Sequence, residues 1–308
     1  MNELQQQILE LKRTKNAVIL AHSYQIPEIK QIADFTGDSY QLAVQAKNTD
    51  AEIIVFCGVH FMAETAKIIN PKRTVLLPSL DAGCALADEI TAEQLRNWKA
   101  KFPSAPVVLY INSTAAAKAE ADVVCTSSNA RKIVQSLPNH QILMAPDKNL
   151  SNVIAQELPE KDIIAWDGVC PVHQDITAEI LESVMAKYPT AEVVVHPECR
   201  PEVCKNADAV LSTSGMIDYV EQSNATEFII GTEQGLIDTL IEKFPQKRFF
   251  PTHEPKSCDE SCVCPYMKSN NLDNVLLALK NMQHEIVVEE SVRVGAKRSI
   301  DRMLEITI

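Results

Sequence analysis

The sequence predicts an α/β fold of three repeated α/β/α domains with parallel sheets, set as a pseudo-threefold triangle around a central active site. Three observations predict it. Short apolar runs alternate with helix-like stretches, the pattern of parallel strands joined by helical crossovers. Asp34, Asp122 and Asp208 recur at intervals of 88 and 86 residues, and so do Pro71, Pro159 and Pro245. That period is too long for a solenoid unit and suits a small βαβ-type domain. Finally, Cys84 and Cys170 lie 86 residues apart, and 86 more reaches position 256, at the edge of a stretch holding Cys258, Cys262 and Cys264. The expected division is 1–86, 87–172 and 173–258 for the repeats, with 259–308 as cysteine loop and helical tail.

The chain opens with a polar amphipathic stretch, Met1 to Asn16, that lacks the apolar segment of a signal peptide. In the first repeat, Ala17 to Ala21 reads as a buried strand ending on His22-Ser23-Tyr24-Gln25, and Pro27 helps to start a helix. Thr36-Gly37-Asp38-Ser39 reads as a turn into a helix around Leu42 to Ala46; a strand at Glu52 to Phe56, a helix at Met62 to Ile69 and a strand at Thr74 to Leu77 follow. The second repeat runs strand Pro106 to Leu109, the turn Thr126-Ser127-Ser128-Asn129, helix Arg131 to Leu137, strand Gln141 to Met144, helix to Leu158 and strand Asp162 to Ala165. The third runs strand Glu192 to Val195, the turn Ser212-Thr213-Ser214-Gly215, helix Ile217 to Gln222, strand Glu227 to Ile230, helix Leu236 to Phe244 and a strand through Phe250. In the tail from Asn271, Leu272, Val275, Leu276 and Leu279 form one apolar helical face.

Composition narrows the class. Apolar residues at 46% and charged residues at 23% are ordinary for a soluble globular protein. A net charge of −12 argues against a sequence-independent grip on nucleic acid or anionic membranes. No apolar run approaches a membrane span. Nine cysteines, an odd number, in a chain expected to be cytoplasmic suggest reduced thiols. With eight glycines and neither G-x-G-x-x-G nor a Walker-type loop, a nucleotide site is not expected.

In open α/β sheets, ligands sit beyond the carboxyl ends of the strands. The ends are polar in every repeat: His22 and Tyr24, Tyr110 and Asn112, His196 and Glu198. His and Glu can exchange protons near neutral pH, Tyr can hydrogen-bond an enolate-like oxygen, and Asn can orient a carboxylate. The Ser/Thr turns stand at helix starts, where free N–H groups favour anions. Three thiols, one per repeat, could hold zinc or an iron–sulfur cluster; the lack of local C-x-x-C pairs favours a cluster. With three ligands one iron would stay open, a Lewis acid able to promote loss of water. Cys57 and Cys125 read as small core residues, while Cys199 and Cys204 could pair or bind metal. A redox switch would use the same thiols, but the chain offers no basic helix for DNA. A cluster-dependent hydro-lyase remains a second enzymatic reading.

Seven short motifs, in order, carry a resemblance. They are His22-Ser23-Tyr24-Gln25, Gly37-Asp38-Ser39, Tyr110-Ile111-Asn112-Ser113, Thr126-Ser127-Ser128-Asn129-Ala130, His196-Pro197-Glu198-Cys199, Thr213-Ser214-Gly215-Met216 and Cys264-Pro265-Tyr266-Met267. With Cys84 and Cys170 between them, the chain resembles the quinolinate synthase family over essentially its whole length. The resemblance implies a [4Fe–4S] cluster on Cys84, Cys170 and one further cysteine at the centre of three α/β domains. It implies a transferase-type, dehydrating condensation of iminoaspartate with dihydroxyacetone phosphate in NAD biosynthesis. An aspartate-oxidising partner, L-aspartate oxidase or aspartate dehydrogenase, is implied with it. By carry-over, Tyr24, His196 and Glu198 handle protons and the enediolate, and His22, Ser39, Tyr110, Asn112, Ser127 and Thr213 bind carboxylate and phosphate. Repeat register favours Cys258 as third ligand, 88 residues after Cys170, whereas the family's C-P-x-M signature points to Cys264. We expect Cys264, because Pro265 restrains the backbone that follows it, with Cys258 and Cys262 an exposed pair. The spacing Cys258-x3-Cys262-x-Cys264 departs from the C-x-x-C-x-x-C of many relatives, which puts redox pairing of the first two in doubt.

Overall fold

The computed structural model describes residues 2–252 and 262–307. Among these, twelve strands form three four-stranded sheets, one per repeat. The first holds β1 (Ala17–His22), β2 (Phe35–Gly37), β3 (Ile53–Cys57) and β4 (Thr74–Leu76) in the order β2-β1-β3-β4. The second holds β5 (Val107–Tyr110), β6 (Val123–Cys125), β7 (Gln141–Ala145) and β8 (Asp162–Ala165), ordered β6-β5-β7-β8. The third holds β9 (Glu192–Val195), β10 (Ala209–Val210), β11 (Glu227–Gly231) and β12 (Arg248–Pro251), ordered β10-β9-β11-β12. All pairings are parallel. The α/β/α repeat read from the sequence is therefore the architecture.

Each sheet has one strand more than the sequence predicts. The edge strands β2, β6 and β10 are two or three residues long, too short for a periodicity, and lie at or just before the expected turns. What holds them explains the aspartate landmark. Asp34 Oδ2 accepts the Ile19 amide at 2.8 Å, and Asp122 and Asp208 accept those of Val107 and Val193 at 2.8 Å. Each aspartate amide returns a bond to the same central strand, at 2.9, 3.1 and 2.9 Å. The clamp starts the edge strand, so the residue recurs with the sheet. The prolines 71, 159 and 245 each follow a helix C-cap (Asn70, Leu158, Phe244) and prevent the helix from continuing. Helices 92–100, 115–120 and 178–187 are also additions to the sequence reading.

The apolar interior runs continuously through the three sheets: Ile54, Val108, Ile142 and Phe228 belong to one buried cluster. The tail is helical at Leu272–Asn281 and Glu290–Thr307. Leu272, Val275 and Leu279 pack with Ile8 and Ile19 on the first repeat, and Leu276 is partly buried beside them. Helix 290–307 crosses to the second repeat, where Ser299 Oγ donates to Lys118 O at 2.8 Å. No helix among the described residues is long and apolar enough to cross a membrane.

Candidate active site

The strand ends converge. One pocket is lined by all twelve residues singled out in the sequence: His22, Tyr24, Ser39, Cys84, Tyr110, Asn112, Ser127, Cys170, His196, Glu198, Thr213 and Cys264. They come from three repeats and the segment after β12, so no local stretch builds the site alone. Among the described residues, no Arg or Lys lines the pocket. Ser39 and Thr213 open the helices 39–48 and 213–222, whose hydroxyls and free N–H groups favour anions. Asp38 caps the first of these and accepts from Ser214 Oγ at 2.6 Å, tying the two helix starts together. Asn112 presents a buried Oδ1 with no partner among the described residues.

The ends of β1 and β9 fix two histidines in the same tautomer. The Tyr24 amide donates to His22 Nδ1 at 3.1 Å, and the Glu198 amide donates to His196 Nδ1 at 3.3 Å. With Nδ1 accepting, the neutral ring carries its proton on Nε2. Burial, with Lys268 adding to it, pushes the His22 pKa down to about 3 against the pull of Glu198. Burial takes His196 down to about 3 as well. Both rings are therefore neutral hydrogen-bond donors at neutral pH.

Glu198 is the charged centre of the pocket. Burial pushes its pKa upward, but His173, His196 and the hydroxyl of Tyr110 outweigh burial and hold it below the ordinary carboxylate range. Tyr110 Oη donates to Glu198 Oε1 at 2.5 Å, and His173 Nδ1 lies 3.0 Å from Oε2. His173 stacks on His196 with ring centroids 4.6 Å apart. Tyr24 sits in a neutral network instead, its hydroxyl 3.1 Å from Thr213 Oγ1 and 3.0 Å from Thr232 Oγ1. Burial raises its pKa well above 10, so it stays protonated.

The thiols separate into two kinds. Cys57 and Cys125, at strand ends, and Cys199, in the turn after β9, are fully buried, whereas Cys84, Cys170 and Cys264 are partly exposed to the pocket. Burial pushes Cys84 up to about 12 and raises Cys170 and Cys264; in each case the amide three residues on, at Ala87, His173 or Met267, acts in the opposite sense. Cys84 and Cys264 also resist each other's ionisation, as do Cys170 and Cys84. Three thiols so placed are a suitable donor set for a metal centre, since coordination holds thiolates that burial disfavours. Among the described residues, Cys170, His173 and Glu198 also bring metal-ligating atoms within 4.8 Å of one another.

The family model described as "NadA: Quinolinate synthetase A protein" matches residues 6–305. The chain belongs to the quinolinate synthase family. It is similar to a quinolinate synthase of Thermodesulfovibrio yellowstonii, 48% identical over 99% of this chain and 98% of the relative. A quinolinate synthase of Caldicellulosiruptor bescii is 49% identical over 98% of both chains. Quinolinate synthase 1 of Methanosarcina acetivorans is 48% identical over 99% and 98%.

Within this quinolinate synthase fold, the cysteine stretch needs one correction. Cys258 lies outside the described residues, but Cys262 is not exposed. It is 3% accessible and packs with Cys199, Val203 and Ile229 on the third sheet. Cys199 and Cys204 are not bridged; their Sγ atoms approach Gly231 O at 3.4 Å and Cys199 O at 3.5 Å. Cys264 caps a one-turn helix with Pro265 in its first turn, the geometry Cys170 has with Pro171. The local C-P pair therefore matches Cys264 to Cys170. Their separation of 94 residues exceeds the 86 between β8 and β12, which places eight extra residues between β12 and Cys264.

The sequence reading missed His173, Thr232, Glu233 and Lys268. Glu233 Oε1 pairs with Lys268 Nζ at 3.0 Å, and Lys268 also donates to Tyr24 O. The C-P pair was a usable signal for His173, three residues after Cys170 as Met267 is after Cys264. Thr232 and Lys268 had none, because their partners come from other repeats.

Proposed function

We propose that the chain condenses iminoaspartate with dihydroxyacetone phosphate to give quinolinate, phosphate and two waters, in NAD biosynthesis. One observation carries the reading: the residues that mark the family converge, together with three thiols, on one pocket. Cys84, Cys170 and Cys264 would hold a [4Fe–4S] cluster, which supplies a Lewis acid for elimination of water. Ser39, Ser127 and Thr213 bind the phosphate and carboxylates through hydroxyls and the adjoining helix starts. Asn112 Oδ1, without a partner, is placed to accept from the substrate imine. His22 and His196 donate their Nε2–H groups to substrate oxygens, and neutral rings do so without neutralising the enediolate. Tyr24 adds a third donor. Glu198 is the anionic proton acceptor, with Tyr110 and His173 holding its carboxylate in place. Because iminoaspartate hydrolyses readily, a partner such as L-aspartate oxidase or aspartate dehydrogenase would supply it, in the cytoplasm.

A mononuclear metal on Cys170, His173 and Glu198 is a second reading, since those atoms already lie within 4.8 Å. The test is iron and acid-labile sulfide analysis of oxygen-free protein, followed by isotope tracing from dihydroxyacetone phosphate into quinolinate. The cluster reading expects iron and sulfide together, and their loss in Cys264→Ala but not in Cys258→Ala. Tightly bound zinc without sulfide would sink it and favour the mononuclear site.

A further inference from the structure

The three repeats do not hold their cysteines in the same way. The third strand of each repeat ends two residues before a helix N-cap, and these N-caps are Val59, Asp147 and Glu233. They are spaced 88 and 86 residues apart, in register with the other landmarks. Val59 makes no side-chain cap, whereas Asp147 Oδ1 accepts the Leu150 amide at 2.7 Å and Glu233 Oε2 accepts the Gly235 amide at 2.6 Å. Capping alone does not require a buried acid, since Ser or Thr serves as well. Yet Asp147 is 2% accessible and Glu233 0%. Burying a carboxylate is costly without further partners.

For Glu233 the further partners lie in the segment that Cys264 opens. Glu233 Oε1 accepts the Cys264 amide at 3.2 Å and pairs with Lys268 at 3.0 Å, so one carboxylate grips both ends of the turn that Cys264 opens. In the second repeat the Lys148 amide donates to Gly168 O at 2.9 Å, laying the segment before Cys170 beside Asp147. Asp147 Oδ2, by contrast, has no hydrogen-bond partner among the described residues, and burial raises the pKa of this carboxyl well above the ordinary range. Among the described residues, the first repeat makes only a backbone link here, from the His60 amide to Ala82 O at 2.7 Å.

We propose that Glu233 is a positioning residue for the thiol of Cys264, and that among the described residues no carboxylate accepts the amide of Cys170 or Cys84 in the same way. The Glu233 carboxylate fixes the Cys264 amide and so directs Sγ into the pocket. The inference rests on the reading of these cysteines as cluster ligands, and outer hydrogen-bond partners of metal ligands typically contribute 10–100-fold to metal affinity.

Glu233→Ser separates the two roles, because serine still caps a helix but is too short to reach the Cys264 amide. Thr91→Ala, which removes a cap far from the pocket, controls for stability. In the anaerobic full-length protein, iron release to a chelator should quicken roughly 10–100-fold in Glu233→Ser. Thr91→Ala should match the wild type, and Glu233→Gln, whose amide oxygen can still accept from Cys264, should recover part of the loss. In the metal-free protein, Cys264 should be alkylated by iodoacetamide faster relative to Cys84 in Glu233→Ser, read by mass spectrometry. Wild-type protein without iron and sulfide would overturn the cluster reading alone. Unchanged relative alkylation of Cys264 in Glu233→Ser would overturn the positioning role, whatever the metal.

Discussion

At the ends of β1 and β9 the chain makes the same short turn twice and loads it differently. His22 and His196 each accept the amide two residues on, and that residue is Tyr24 in one case and Glu198 in the other. Tyr24 enters a network of hydroxyls from Thr213 and Thr232, so its own hydroxyl meets neutral partners. Glu198 enters a network of two imidazoles and a phenol, so its wall of the pocket carries a negative charge. A repeated backbone can thus deliver two kinds of proton chemistry, provided the third residue and its neighbours from other repeats differ.

Removing the charge should have the largest effect. Glu198→Gln is expected to lower turnover by roughly 10²–10⁴, the usual range for a general acid–base group, with iron content unchanged. A parallel loss of iron would instead place Glu198 among the metal ligands with Cys170 and His173.

The shared histidine device predicts a pH dependence of the metal-free protein. Both histidines titrate near 3 when folded and near 6.5 when unfolded, so between those values the unfolded chain binds the extra protons. Stability should fall as pH drops below about 6.5, by up to about 1.4 kcal/mol per pH unit for each ring, with no contribution from them above it. Denaturant midpoints from pH 7 to pH 4 read this directly. A slope unchanged in His22→Asn combined with His196→Asn would show that the rings are not buried neutral.

In the neutral hydroxyl network, Tyr24→Phe removes one donor and should cost about tenfold in kcat/KM, from roughly 1–1.5 kcal/mol per hydrogen bond. A loss as large as that of Glu198→Gln would erase the distinction between the two networks. The smallest effect is expected from Cys262→Ala, which trims a thiol packed on the third sheet. Iron content and turnover should stay at the wild-type level, and loss of iron would return Cys262 to the ligand set.

Spacing in the sequence was enough to find the repeat, because Asp34, Asp122 and Asp208 do the same local job in each copy. The clamp between an edge strand and its neighbour involves residues about 15 apart, so its signature stays local and recurs. The edge strands themselves were not legible, being two or three residues long and held by that clamp more than by any apolar pattern. Glu233 was readable in principle, 86 residues after Asp147, but acids at helix starts are common and only burial marks these two.

Sequence by itself determined the α/β class, the threefold repetition, and which polar side chains stand at strand ends. Those follow from hydrophobic period and turn chemistry, which act over a few residues. Tertiary structure alone decided which groups share a proton, which cysteines face the pocket, and that Cys262 is buried. Tyr110 reaches Glu198 across 88 residues of sequence and Tyr24 reaches Thr213 across 189. Such partners come from different repeats, and only the packing of three sheets on one core brings them within hydrogen-bonding distance.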